Sequence, residues 1–281
     1  MNYRHAFHAG NFADVVKHAV LARIVAHLKE KPAAFRVIDT HAGAGLYDLA
    51  GAEASRTGEW RAGIGKLVSA KLDPAIRALL APYLDAIAAL NAGPLKLYPG
   101  SPALLQQLLR SQDRLVACEK EPNAARALIA RMRGDKRAKA VAIDGYTALN
   151  AYVPPKERRG LILVDPPFEQ PDEFDALAQG LAAAHRKWPT GIYALWYPVK
   201  DARETDRFSR RLTRLGMPRM LQAELVLPAR EGLRGSGLIL VNPPWRLESE
   251  LTVLLPALLG VLGDGAPGVG RTLSRWLTAE R

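Results

Sequence analysis

The sequence predicts an α/β fold built on a mainly parallel sheet. Three observations predict it: short aliphatic runs alternate with segments of helical period, a glycine turn follows the first run, and successive runs end on an acid. The plainest run is Gly160-Leu161-Ile162-Leu163-Val164-Asp165-Pro166-Pro167-Phe168. Four consecutive aliphatic residues suit a strand covered on both faces, and two prolines forbid both helix and ladder pairing immediately beyond it. Asp165 is therefore expected at the carboxyl end of a strand, where open α/β sheets place ligands. An acid, a proline carbonyl and a ring held together there can grip a flat nitrogenous base. The chemistry expected of Asp165, Pro166 and Phe168 is methyl transfer to an exocyclic amine.

In chain order, Asn11 is a plausible cap for a helix from about Ala13 to Leu28, with Val15, Val16, Ala19, Val20, Ile24 and Leu28 facing the core and Asp14, Lys17 and His18 near one edge. Phe35 to Asp39 reads as the first strand. Thr40-His41-Ala42-Gly43-Ala44-Gly45 follows, and its glycines let backbone amides approach a ligand closely. Asp48 stands where a dinucleotide fingerprint needs its third glycine, and no Gly-Lys-Ser/Thr follows, so NAD, FAD and a P-loop are all disfavoured. A ligand such as S-adenosylmethionine suits the turn; an ordinary strand-to-helix turn is the alternative.

The next strand does not arrive until about Leu115, so something is inserted. Residues 48–94 read as a small helical subdomain with a helix over Pro74 to Leu90 and an exposed Arg56, Trp60 and Arg61. It separates residues 1–47 from residues 95–281, which carry the remainder of the same domain. Ser101 is expected to cap a helix opened by Pro102. Arg114 to Cys118 is the second strand and ends in Glu119, where a carboxylate can hold both hydroxyls of a ribose. After a helix from Pro122 to Met132, the third strand, Ala140 to Ile143, ends in Asp144-Gly145, and Asp144 is placed to accept from an adenine amino group. The fourth strand ends in Asp165. Acids at three consecutive strand ends after a glycine turn form a constellation.

Beyond it lie a helix over Asp172 to Lys187, an aromatic-rich strand over Gly191 to Val199, a basic helix over Arg203 to Leu215, and two strands, Glu224 to Leu227 and Leu238 to Val241, read as a hairpin at the sheet edge. The last repeats the opening pattern as Gly237-Leu238-Ile239-Leu240-Val241-Asn242-Pro243-Pro244-Trp245. It closes the last strand, whereas the first copy closes the fourth, beside the glycine turn. The catalytic role therefore goes to Asp165 and a structural role to Asn242.

Bulk properties narrow the partners. A chain of 281 residues can bury a full core without oligomerising, so a monomer is expected. A formal net charge of +11 favours a polyanion, nucleic acid first. Cys118 is the one cysteine, which excludes a disulfide framework and a thiolate metal cage and points to a reducing, cytoplasmic home. His5 and His8 lack companion ligands, so no metal is expected. Charges and histidines through the first thirty residues exclude a secretory signal, and Leu251 to Leu262 is too short, and broken by Pro256 and Gly260, to span a membrane.

The stretches Tyr3-Arg4-His5, Phe7-His8-Ala9-Gly10-Asn11, Ala13-Asp14-Val15, Lys17-His18, Asp39 to Gly45, Arg56-Thr57-Gly58-Glu59, Tyr98-Pro99-Gly100-Ser101-Pro102 and both proline-pair strands together resemble the bacterial 23S ribosomal RNA (adenine(2030)-N6)-methyltransferase family. The resemblance covers nearly the whole chain. It implies a Rossmann-like domain with a helical insertion that uses S-adenosylmethionine and releases S-adenosylhomocysteine. By that resemblance the donor is bound by His18, His41, Ser101, Glu119, Asp144, Gly145 and Asp165 beside the glycine turn of Gly43 and Gly45. Tyr3, His5 and Lys17 act near the target base, and Asp165 is catalytic. The family's best-known member carries tyrosine where this chain has Phe168, which retains a ring and loses a hydroxyl. The rival readings are methylation of a DNA adenine or a protein glutamine, which share the acid-proline-proline tip, and an RNA-binding module without chemistry.

Overall fold

A computed structural model describes residues 4–228, 233–263 and 269–279. Its strands are β1 (Arg36–Asp39), β2 (Leu46–Asp48), β3 (Leu97–Pro99), β4 (Arg114–Glu119), β5 (Ala138–Ala142), β6 (Gly160–Val164), β7 (Ile192–Val199), β8 (Met220–Val226), β9 (Gly235–Val241) and β10 (Arg271–Thr278). The helices are α1 (Phe12–Lys29), α2 (Ala52–Thr57), α3 (Lys66–Ser69), α4 (Pro74–Leu90), α5 (Ser101–Leu108), α6 (Pro122–Met132), α7 (Gly145–Tyr152), α8 (Glu173–Lys187), α9 (Ala202–Thr213) and α10 (Leu247–Leu262).

Eight strands form one sheet in the order β10-β8-β9-β7-β6-β1-β4-β5. From β7 through β5 every pairing is parallel, and β9, β8 and β10 add antiparallel strands on the other side. The aliphatic strands are buried on both faces because helices cover both. Leu161 and Leu163 pack with α1, α5, α6 and α10, while the alternating Ile162 and Val164 pack with α7, α8 and α9. The chain runs from β1 outward to β4 and β5, then returns to place β6 on the other side of β1. That reversal opens a crevice at the carboxyl ends of β1 and β6.

Some expectations need correction. The predicted hairpin does not lie at the sheet edge: β9 sits between β7 and β8, and β10, which the sequence pattern did not reveal, pairs outside β8. The second proline-pair string therefore closes an interior strand. Gly100, not Ser101, is the residue at the N-cap of α5, and no side chain caps that helix. Trp60 is half-buried against the core rather than exposed. Asp14, Lys17 and His18 are buried because α1 is covered nearly all round. Between β1 and β4 the chain forms α2, α3 and α4, flanked by β2 and β3, which pair antiparallel as a separate two-stranded ribbon. Among the described residues no helix is long and apolar enough to cross a membrane.

Gly160 shows how tightly β6 is set against β1. A Cβ there would stand 2.0 Å from the Arg36 carbonyl oxygen and 3.0 Å from the Trp188 ring, and backbone cannot yield as a flexible side chain can. Gly160→Ala is expected to destabilise the protein by about 3 kcal/mol or more. Urea unfolding of the variant checks this, and a midpoint equal to that of the parent would refute it.

Candidate active site

The crevice is a cavity of about 1650 Å³ into which the parallel strands deliver their terminal residues. Across it stand Asp144 after β5, Glu119 at the end of β4, the glycine turn after β1, and Asp165 after β6. Glu119 ties two of these together. Its Oε2 accepts from the Gly43 amide at 2.7 Å and its Oε1 from the Glu121 amide at 2.7 Å. Asp144 caps α7, accepting from the Tyr146 and Thr147 amides at 3.1 Å each, and Lys120 Nζ lies 3.1 Å from its other oxygen. Although burial alone would raise its pKa, these partners hold it below the ordinary carboxylate value.

Asp165 follows β6, and after the two prolines Phe168 turns back at φ 49°, a left-handed conformation uncommon for a bulky residue. The turn sets the Phe168 ring edge-on to Phe174 and Trp196, at centroid distances of 4.9 and 5.9 Å. No backbone amide among the described residues donates to the Pro166 carbonyl. Lys17 Nζ donates to Asp165 Oδ2 and lies 2.9 Å from Asp14 Oδ1. The other Asp14 oxygen accepts from the Gly10 amide at 2.9 Å and stands 3.0 Å from His5 Nε2. Burial would weaken the charge on Lys17, yet the two carboxylates outweigh it and raise its pKa. Burial likewise opposes the Asp14 charge, and His5 and Lys17 reverse that, holding its pKa well below the usual range.

Two histidines face the cavity as neutral rings. Burial pushes His41 down to about 4. The Thr40 hydroxyl spends its one proton on the Leu163 carbonyl at 3.0 Å, so at 2.8 Å it accepts from His41 Nδ1, which leaves Nε2 as an acceptor. Gly145 permits this placement, since a Cβ there would lie 2.4 Å from the His41 ring. Burial pushes His18 to about 3. Its Nδ1 lies 2.7 Å from the Tyr98 hydroxyl, itself 2.9 Å from that of Tyr83, and its Nε2 is buried without a partner.

The structure thus brings His5, Lys17, His18, His41, Gly43, Ser101, Glu119, Asp144, Gly145, Asp165, Pro166 and Phe168 to one cavity. Gly45, at φ 83°, instead approaches Leu128, Arg131 and Pro102 outside the lining. Tyr3 lies outside the described residues. Asn242 is at the opposite end of the sheet, donating to the Pro189 and Gly191 carbonyls at 2.7 and 2.9 Å. Sequence reasoning did not place Asp14, Tyr146, Glu173, Trp196 and Lys200 at the site, and all of them line the cavity. For Asp14 a signal existed: an acid one turn before a lysine on a helix rich in aliphatic residues. For Trp196 and Lys200 the signal was the aromatic-rich strand that follows β6. Among the described residues no three His, Cys, Asp or Glu side chains are grouped to hold a metal.

Chemically, an open carboxylate oxygen and a free carbonyl side by side can accept both protons of one amine. The acid-lined half of the crevice can take hydroxyls and a cation.

A family model described as "Ribosomal RNA large subunit methyltransferase D, RlmJ" matches residues 32–278. Over the full length of both chains the sequence is 42% identical to the ribosomal RNA large subunit methyltransferase J of Escherichia coli and 38% identical to that of Haemophilus influenzae. A crystal structure of a Legionella pneumophila protein, 34% identical, superposes with a TM-score of 0.86, covering 95% of this chain and 98% of the other. The family model starts after α1, whereas the two curated relatives match over the whole chain.

Asp39, at the end of β1, carries a testable charge. It is fully buried, and burial pushes its carboxyl up to about 7; the Ser101 hydroxyl and His41 amide favour ionisation, but neither oxygen has a partner in hydrogen-bonding geometry. An unfolded Asp ionises near pH 4. Between about pH 4 and 7 the folded carboxyl therefore keeps a proton that the unfolded chain has lost, so this group's contribution to stability falls as pH rises. Asp39→Asn removes that slope. Its stability relative to the parent should grow by on the order of 3 kcal/mol from pH 4 to pH 7. Urea titrations at both pH values check it, and a constant difference would sink the assignment.

Proposed function

The chain belongs to the family of large-subunit ribosomal RNA methyltransferases, and from that premise we propose that it methylates the N6 amine of an adenine in 23S ribosomal RNA, using S-adenosylmethionine. The resemblance of its motifs names adenine 2030. The observation that carries the reading is the tip of β6, where Asp165 has one oxygen committed to Lys17 while the Pro166 carbonyl beside it is free of backbone partners.

The residues present fit the donor. Glu119 retains a lone pair on each oxygen for a ribose diol, and the buried, unpartnered His18 Nε2 and the acceptor Nε2 of His41 face the same cavity. His18, His41, Ser101, Glu119, Asp144, Gly145 and Asp165 would hold it, with Gly43 anchored by Glu119. Bound there, S-adenosylmethionine supplies a methyl group on a sulfonium, an electrophile that requires no metal. Gly45 supports the turn from outside the cavity.

The exocyclic nitrogen of adenine is a poor nucleophile because its lone pair is spread into the ring. Acceptance of its two protons by Asp165 Oδ1 and the Pro166 carbonyl localises that pair and fixes its direction. Lys17 grips Oδ2, so the carboxylate cannot turn away. The proton displaced from nitrogen passes to Oδ1. The base leaves its stack to reach this tip, and Phe168, steadied by Phe174 and Trp196, offers it a ring surface. His5, held by Asp14, lies on the approach, and Tyr3 joins it by resemblance. A ribosomal RNA substrate accords with a cytoplasmic home.

Asp165→Ala should lower kcat at least about 100-fold, while Asn242→Ala stays within a few-fold of the parent. S-adenosylhomocysteine release with 23S RNA, DNA and protein supplied in turn measures this and separates the substrates. Full turnover by Asp165→Ala would end the proposal, and preference for DNA or a protein glutamine would redirect it.

A further inference from the structure

Helix α9 begins two residues beyond Lys200, which lines the cavity at the carboxyl end of β7. Its inner face is buried through Thr205, Phe208, Ser209 and Leu212. Its outer face carries Arg203, Arg207, Arg210 and, at the C-cap, Arg214. The spacing of four, three and four residues puts all four on one stripe about 16 Å long, starting at the cavity rim. All four are exposed, and among the described residues none has an ion-pair or side-chain hydrogen-bond partner. The neighbouring charges are spent elsewhere. Arg211 pairs with Asp175, and Asp206 turns to Arg275 at 3.7 Å.

Helix stability does not account for the stripe. Like charges three and four residues apart repel, and Arg203 in the first turn opposes the helix dipole; the dipole favours only the two at the far end. A pitch of about 5.4 Å per turn resembles the separation of neighbouring phosphates along an RNA strand. Guanidinium groups pair with phosphate in bidentate fashion, and the chain's net charge of +11 suits a polyanion.

We propose that this stripe is the track on which the phosphates flanking the target adenine lie while the base occupies the cavity. The inference rests on the RNA methyltransferase reading. Lys200 joins the track to the catalytic tip, so the RNA backbone leaves the cavity along α9. The partner is the substrate strand itself, recognised through its phosphates and not its bases.

The test is the variant R203Q/R207Q/R210Q/R214Q, assayed on an RNA fragment carrying the target over a range of salt. KM for RNA should rise at least about tenfold near 0.15 M salt, with kcat falling far less. The slope of log KM against log salt should become shallower by roughly 3, since each phosphate contact contributes about 0.7–0.9. Calorimetric binding of S-adenosylhomocysteine should match the parent. If the quadruple variant melts early, the pairs R203Q/R207Q and R210Q/R214Q should each make the slope shallower by roughly 1.5. R133Q/K136Q, which removes exposed charge from the far end of β5, should leave it unaltered. A parental slope in the α9 variants of an active enzyme overturns the track alone. Loss of binding to phosphatidylglycerol vesicles with a parental RNA slope would overturn it in favour of a lipid surface. A parent that binds S-adenosylhomocysteine but methylates no RNA removes the functional reading, and the track with it.

Discussion

A lysine ammonium only 5% exposed persists inside a protein when carboxylates stand within hydrogen-bond reach, and Lys17 has two on different elements. Asp14 lies one turn earlier on α1, and Asp165 lies at the tip of β6. Loss of either would strip the buried ammonium of one of its two counter-charges and destabilise the fold. The pairing therefore fixes α1 against the sheet at one place. Asp14 extends the same constraint to the amino-terminal segment, because its second oxygen takes the Gly10 amide and stands beside His5. Helix, leading segment and the tip of β6 thus form one electrostatic unit, and the carboxylate proposed to face the reacting nitrogen is oriented by the lysine that anchors the fold.

Topology supplies the rest of the cavity. Because β5, β4, β1, β6 and β7 run parallel, everything that follows their carboxyl ends meets at one rim. This part was legible in the sequence. A run of aliphatic residues stopped by an acid determines both where a strand ends and what it presents there, so Glu119, Asp144 and Asp165 could be placed without a structure. Segments of strong helical period, such as Pro122 to Met132, were bounded correctly for the same reason: proline at the start, apolar residues on one side, and polar residues on the other.

Features set by distant contacts were not legible. The link from Lys17 to Asp165 spans 148 positions and leaves no local trace. α1 is buried almost all round, so its polar residues looked like a solvent edge when they form an internal one. β10 escaped because it packs by polar means. Arg271 reaches Glu224 and Arg275 reaches Gln222, so the strand lacks the alternating apolar pattern by which an amphipathic strand is recognised. Buried Glu224 and Gln222 meet at the hydroxyl of Tyr197, two strands away on β7, so the polar side chains of β8 are satisfied inside the sheet. The ribbon of β2 and β3 is three residues per strand, too short for any period to show.

The two proline-pair strings show how much direction matters. Their sequences are nearly interchangeable, yet β6 runs parallel to its neighbours and β9 antiparallel to both of its own, so the strings emerge at opposite ends of the sheet. The backbone then turns at different places. In the first copy it is the aromatic, Phe168, and not the acid that adopts positive φ, and its ring lines the cavity. In the second, Asn242 itself takes φ 51°, a conformation asparagine tolerates well, and its amide donates to two carbonyls of the loop before β7. An aspartate there could make neither bond, since a carboxylate has no proton to give. Trp245 consequently points away and is 73% exposed, where Phe168 is packed. Acid against amide is thus a difference of donor and acceptor as well as of charge: the first string presents an acceptor to the cavity, and the second gives its protons to its own backbone.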